Sequence, residues 1–256
     1  MEPTFDNLRE FINNPIGQFK FFNIPYTDQE KECIENFNIE NNIMFYTPNL
    51  DNLEEYLSRI GSNHPENISS IANIIRKLKN LILPAYNTEY YMLYIKTHLP
   101  SDEFDKIRWH CDGTELPRFG TVFKGNGTLF LKTNTVEERN IYLQCREDYF
   151  EGRMPMDEKR DIFINNLKGE PYVLGKHQFA LFFSQPLERC AIHSEPRIDS
   201  TRMFVSFIPM TKEYFDLHKH QFRQTGGFYS KYLKYKNKYL QLKNLTNIGK
   251  IRNQIN

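Results

Sequence analysis

The chain has 256 residues, enough for one large domain with a sizeable core, and 33 Lys and Arg against 32 Asp and Glu leave a net charge of +1. That balance excludes a global electrostatic commitment to nucleic acid or to an anionic membrane surface, so any basic patch is local. Four cysteines without a CxxC pair (Cys33, Cys111, Cys145 and Cys190) point to reduced thiols in an intracellular chain, and no apolar run is long enough to span a bilayer. The start of the chain has neither a basic region nor an apolar core, so no signal peptide is expected.

In chain order, Phe19 to Pro25 reads as a strand, and Thr27 with Glu30 forms a capping box that opens a helix. Leu53 to Leu57 carries a short helical signal. A longer helix follows His64-Pro65, with Asn67 as its cap, Ile68, Ile71, Ile74 or Ile75, Leu78, Leu81 and Ile82 at helical spacing, and Pro84 as its stop. From Glu89 the text changes to strands. Tyr90 to Lys96 is rich in aromatic and branched residues, Phe104 to Trp109 leads into a His-x-Asp motif, and Thr121 to Lys132 reads as a hairpin around Gly125-Asn126-Gly127. Residues 135–170 are charged and helical in character, an insertion that is either a substrate-selecting lid or an inert excursion. Strands resume at Tyr172 and at Gln178 to Phe183, continue through His193, and end with Arg202 to Ile208. Many short strands with helices at the ends predict a mainly β fold with flanking α: a double-stranded β-helix (jelly-roll) core. Residues 1–84 form its N-terminal flank, 85–225 the core, and 226–256 a tail.

The chemistry concentrates in Arg108-Trp109-His110-Cys111-Asp112-Gly113 and in His193 to Arg202. His110 and Asp112 alternate onto one side of an extended segment, and His193 supplies a third corner. Two imidazoles and one carboxylate make a facial triad for non-haem Fe(II) with open positions. Cys111, between two ligands, points the other way. Arg202, nine positions after His193 in strand text, offers a guanidinium fork for a carboxylate.

With these residues the chain resembles the Fe(II)/2-oxoglutarate-dependent dioxygenases over roughly residues 90 to 209. Their pattern is His-x-Asp, a distal His and then a basic residue. The resemblance implies that His110, Asp112 and His193 are the metal ligands and catalytic centre. Arg202 then holds the far carboxylate of 2-oxoglutarate, helped by Ser206 or by a tyrosine of the 90–94 strand such as Tyr94. O₂ is consumed, succinate and CO₂ form, and a C–H bond of an unidentified prime substrate is hydroxylated or its methyl group removed. A protein or small molecule is the preferred substrate. The AlkB-type nucleic-acid dealkylases carry a second arginine six positions after the first, where this chain has Ile208, and Arg197 does not match that position. His64, His98, His177, His218 and His220 lack the motif's context and read as surface or packing residues.

The tail after Gly226-Gly227 places Phe228, Tyr232, Tyr235, Tyr239 and Leu242 at spacings of four and three among many lysines, a short basic helix with an aromatic seam. It is similar to C-terminal segments of giant-DNA-virus proteins, which implies a viral source. Residues 228–243 either dock on their own chain or a copy of it, bind another virion or viral-factory protein, or meet nucleic acid or a membrane surface, the least favoured reading. The alternative to an enzyme is a non-catalytic, virion-associated jelly roll that binds metal.

Overall fold

In the computed structural model, residues 1–14, 18–100, 109–112, 114–133, 171–184 and 189–222 are described, with 137, 138, 140, 141 and 144 and, for 218–222, the backbone alone. The strand text leading from Phe104, most of the 135–170 insertion and the tail from Gly226 lie outside the described residues.

The elements in order are α1 (Phe5–Asn13), β1 (Phe19–Asn23), α2 (Asp28–Asn36), β2 (Met44–Thr47), α3 (Leu53–Ser58), α4 (Pro65–Tyr86), β3 (Tyr91–His98), β4 (Arg118–Lys124), β5 (Leu129–Leu131), β6 (Tyr172–Val173), β7 (Gln178–Phe182), β8 (Ile192–Ser194), β9 (Arg202–Pro209) and α5 (Lys212–Phe222). A six-stranded sheet runs β1-β7-β4-β9-β3-β2 and a three-stranded sheet runs β6-β5-β8. Every pairing between these strands is antiparallel. This is the jelly-roll arrangement, with two sheets face to face and no closed barrel.

Period-two alternation in the large sheet divides its residues between two cores. On one face Leu93 and Ile95 of β3, Phe119 of β4 and Met203, Val205 and Phe207 of β9 pack with Ile71, Ile75, Leu78 and Ile82 of α4. Burying a side chain of this size contributes about 1.5–3 kcal/mol. On the other face Tyr94, Val122, Phe182, Phe204 and Ile208 meet Phe130 of the small sheet. The strands are therefore buried on both sides, and their text is apolar without a solvent face.

The helix α4 starts at Pro65 with His64 as its N-cap, and Asn67 lies inside it rather than capping it. Proline suits that place because its missing N–H would have had no partner there. Pro84 does not stop the helix. The chain runs on to Tyr86 and closes at Asn87 in the left-handed conformation (φ 53°), whose N–H donates to the Pro84 carbonyl. The capping box of Thr27 and Glu30 forms as expected.

The expected hairpin at Gly125-Asn126-Gly127 does not form. β4 pairs with β7 and β9, while β5 pairs with β6 and β8, so the glycine segment crosses from one sheet to the other. The glycines are needed for closeness. Gly125 has φ +86°, and a Cβ on Gly127 would lie 1.8 Å from the Leu174 carbonyl oxygen. Cysteine usage is also corrected. Cys111 and Cys190, read from their spacing as reduced thiols, form a disulfide across 79 residues of sequence, because the fold brings their Cα atoms to 6.0 Å. No described helix is long and apolar enough to cross a membrane.

Candidate metal centre

Residues 109–112 run beside β8 and join it through one bridge. His110 N–H donates to the His193 carbonyl and His193 N–H to the His110 carbonyl, each at 2.9 Å. Directly opposed residues of an antiparallel pair share a face, which sets the two imidazoles side by side with ring centroids 4.3 Å apart. Asp112, two residues on, returns to that face. One ligand atom from each of His110, Asp112 and His193 lies within 4.8 Å of the others. Trp109 takes the opposite parity and packs with Leu131 and Ile192, anchoring the segment to the small sheet. Cys111 shares that parity and is tied to Cys190, so it points away from the centre as expected.

Local hydrogen bonding prepares the ligands. His193 Nδ1 lies 2.9 Å from the Ala191 carbonyl, which can only accept, so Nδ1–H donates there and holds the ring with Nε2 turned toward Asp112. His193 Nε2 is 3.4 Å and His110 Nε2 3.8 Å from the Asp112 carboxylate. Asp112 also pairs with the guanidinium of Arg118. Burial alone would raise the Asp112 pKa, but Arg118, His193 and His110 together hold it well below the ordinary carboxylate range. Asp112 is thus ready to bind a cation as the anion.

Arg118 was not singled out in the sequence. It begins β4 on the inward face, its Nε donates to Ser206 Oγ at 2.7 Å, and its guanidinium lies 5.2 Å from the Tyr94 ring centroid. Burial would lower its pKa, but Asp112 foremost among its neighbours raises it. Ser206 in turn donates to the Phe119 carbonyl. The hydroxyl named as a candidate for the co-substrate is therefore engaged between Arg118 and the backbone.

From the triad a cavity of about 470 Å³ extends between the sheets, walled by Tyr46, Tyr94, Phe204 and Ile208 and bordered by Lys96, Glu195 and Arg202. Cross-strand register explains the grouping. Tyr94 faces Ser206, Lys96 faces Phe204 and His98 faces Arg202, so these six residues share the inward face of the sheet, and four of them, Tyr94, Lys96, Arg202 and Phe204, line the cavity. The rings of Tyr46 and Tyr94 stack at 4.5 Å, and the Tyr94 hydroxyl donates to the Met44 sulfur at 3.3 Å. Burial is the first cause that raises the pKa of both tyrosines, so both are neutral phenols.

Arg202 is 1% exposed. Its Nε donates to the Asn126 carbonyl at 3.0 Å and its Nη2 to Thr128 Oγ1 at 2.9 Å, both on the segment that crosses between the sheets. Among the described residues Nη1 makes no hydrogen bond, and it faces Glu195 Oε1 at 3.5 Å. Ile208 is uncharged, and the second buried guanidinium of the cavity comes from Arg118 on the neighbouring strand. Arg197 does not line the cavity. The structure therefore gathers His110, Asp112 and His193 at one point, sets Arg202 and Tyr94 on the same cavity, and adds Arg118, Lys96 and Glu195. Strand parity could have found Arg118 and Lys96, since each shares the inward parity of its strand.

No family model matches the sequence, and no curated protein matches it. Among solved structures the chain is similar to a prolyl-4-hydroxylase of Pseudomonas putida, at 7% identity and a TM-score of 0.44, over 81% of this chain and 100% of that one. It is similar to dioxygenase for auxin oxidation 1 of Arabidopsis thaliana in its 2-oxoglutarate complex, at 9% identity and a TM-score of 0.41, over 80% and 88% of the two chains. A third is the viral collagen prolyl hydroxylase of Paramecium Bursaria Chlorella virus-1, at 11% identity and a TM-score of 0.33, over 76% and 93%. Likeness at this level concerns the path of the chain and carries no functional weight.

Proposed function

We propose that the protein is an Fe(II)- and 2-oxoglutarate-dependent oxygenase that hydroxylates or demethylates a protein or small-molecule substrate. One observation carries this reading: a His-Asp-His cluster opens onto a cavity whose wall holds a buried guanidinium with one terminal nitrogen, Nη1, that makes no hydrogen bond among the described residues. The donor set fits a divalent transition metal. Two imidazole nitrogens and a carboxylate oxygen converge from one side, and the cavity lies on the other. The cavity also fits an elongated dianion. Lys96, Arg118 and Arg202 outnumber Asp112 and Glu195 along its wall, and a bound divalent cation adds to that excess.

In this reading His110, Asp112 and His193 hold the metal, with His193 oriented by the Ala191 carbonyl and Asp112 by Arg118. Arg202 holds the distal carboxylate of 2-oxoglutarate through Nη1, with Lys96 beside it. Tyr94, Tyr46 and Phe204 wall the chain of the co-substrate and exclude water. Bound there, iron(II) supplies the activation of O₂ that is coupled to oxidative decarboxylation of the 2-oxo acid. Tyr46, at the large sheet's β2 edge, and half-exposed His110 border the open side where a prime substrate would approach. Ile208, in the place of a second arginine, favours a substrate other than a nucleobase.

Metal titration tests the reading. A co-substrate that chelates the bound ion must tighten metal binding by the same factor as the metal tightens co-substrate binding. Calorimetry with Mn(II) should give one ion per chain, bound more tightly when 2-oxoglutarate is present, and His193→Ala should weaken it by at least about a hundredfold. A metal affinity indifferent to 2-oxoglutarate would remove the co-substrate from the proposal.

A further inference from the structure

The cation cluster that would receive the co-substrate's far carboxylate already faces a carboxylate of the chain itself. Glu195 lies two residues after His193. Its Oε1 and Oε2 accept from Lys96 Nζ at 2.7 and 2.9 Å, and its Oε1 faces Arg202 Nη1 at 3.5 Å. His98 Nε2 lies 3.5 Å from Oε2. The arrangement is lopsided. Glu195 is hydrogen-bonded to Lys96 through both oxygens, yet stops short of a hydrogen bond to Arg202, whose Nε and Nη2 donate to Asn126 and Thr128. Nη1 of Arg202 is left for a ligand, while Lys96 is already engaged by both oxygens of Glu195.

From this geometry we infer that Glu195 is a specificity-determining residue, a resident carboxylate that competes with an acidic 2-oxo acid for Lys96 and Arg202. The inference rests on the reading of Arg202 as the co-substrate clamp. An incoming dicarboxylate must push Glu195 off Lys96 or share the cations with it, and either loses favourable charge pairing. A 2-oxo acid with an uncharged far end loses nothing of this kind. Glu195 therefore lowers the affinity for 2-oxoglutarate and narrows its advantage over uncharged-end analogues. Its location suits the role, since the carboxylate lies on the segment between β8 and β9 and is one-third exposed.

The test compares binding of 2-oxoglutarate and of 2-oxopentanoate to the Mn(II)-loaded full chain by calorimetry. Glu195→Gln removes the charge at nearly constant shape and should bind 2-oxoglutarate about tenfold more tightly while leaving 2-oxopentanoate unchanged. Glu195→Asp keeps the charge but draws it back from Lys96. It guards against a folding defect and should shift binding the same way by a smaller factor. Equal or weaker 2-oxoglutarate binding in both variants, with the wild type binding normally, would overturn the inference and make Glu195 a positioning partner of Lys96. Failure of the wild type and both variants to bind 2-oxoglutarate while each binds Mn(II) would overturn the co-substrate reading as well, so the two failures are distinguishable.

Discussion

At the scale of single residues, the centre is built by parity. His110 and His193 face the same way because they are directly opposed across one antiparallel bridge, and Asp112 joins them two residues later. Arg118 completes the set by holding Asp112 as a carboxylate in a buried place. Replacing it with an apolar side chain leaves that charge without its counter-ion. Arg118→Met should therefore cost about 3–5 kcal/mol in the metal-free protein, with much of the loss recovered when Mn(II) is added. Chemical denaturation with and without the ion measures both. The three converging side chains were legible in the sequence because His-x-Asp is local and the strand texts carry His193 and Arg202. The pairing of Arg118 with Asp112 was not, because it depends on where β4 starts beside β9. The charge partner of Arg202 was equally hidden, since nothing local in His-Ser-Glu-Pro says that Glu195 turns toward Lys96.

At the scale of elements, the segment from Lys124 to Leu129 matters more than its text suggests. Read locally, Gly-Asn-Gly between two apolar runs is a hairpin signal. The sheets settle the matter differently, because β4 and β5 belong to separate sheets and each strand finds its partners elsewhere. The crossing then does two things: it joins the sheets, and it presents Asn126 and Thr128 to Arg202. Gly127→Ala drives a methyl group into the Leu174 carbonyl, which as backbone cannot rotate away. The expected cost is about 1–3 kcal/mol, with a weaker hold on 2-oxoglutarate because Arg202 loses its frame. Thermal unfolding and co-substrate binding measured on one variant would show both effects. The helical layer was more legible. The apolar stripe of α4 identified the helix and its buried face, and only its ends were misplaced, where Pro65 starts it and Asn87 rather than Pro84 closes it.

At the scale of the whole molecule, two antiparallel sheets enclose the cavity and four helices precede β3, with α4 packed on the outer face of the larger sheet. The segment carrying His110 and Asp112 is held in place by the His110–His193 bridge, by the Trp109 ring and by the Cys111–Cys190 disulfide. Closing so long a loop restrains the unfolded chain, so reducing the disulfide or substituting both cysteines with alanine should cost about 2–4 kcal/mol and weaken Mn(II) binding. Equal denaturation midpoints in the oxidised and reduced protein would contradict that. The pairing was not legible because the two cysteines are far apart in sequence and meet only once β8 lies beside residues 109–112.

The central claim is that one cavity joins a three-ligand metal centre to a carboxylate clamp. The most direct measurement is an anaerobic titration of Fe(II) and 2-oxoglutarate into the purified protein, following the weak visible charge-transfer band of the chelated 2-oxo acid. The account predicts a band in the wild type that is absent in His110→Ala and that needs much more 2-oxoglutarate to appear in Arg202→Ala. Iron bound by the wild type without any such band would contradict it.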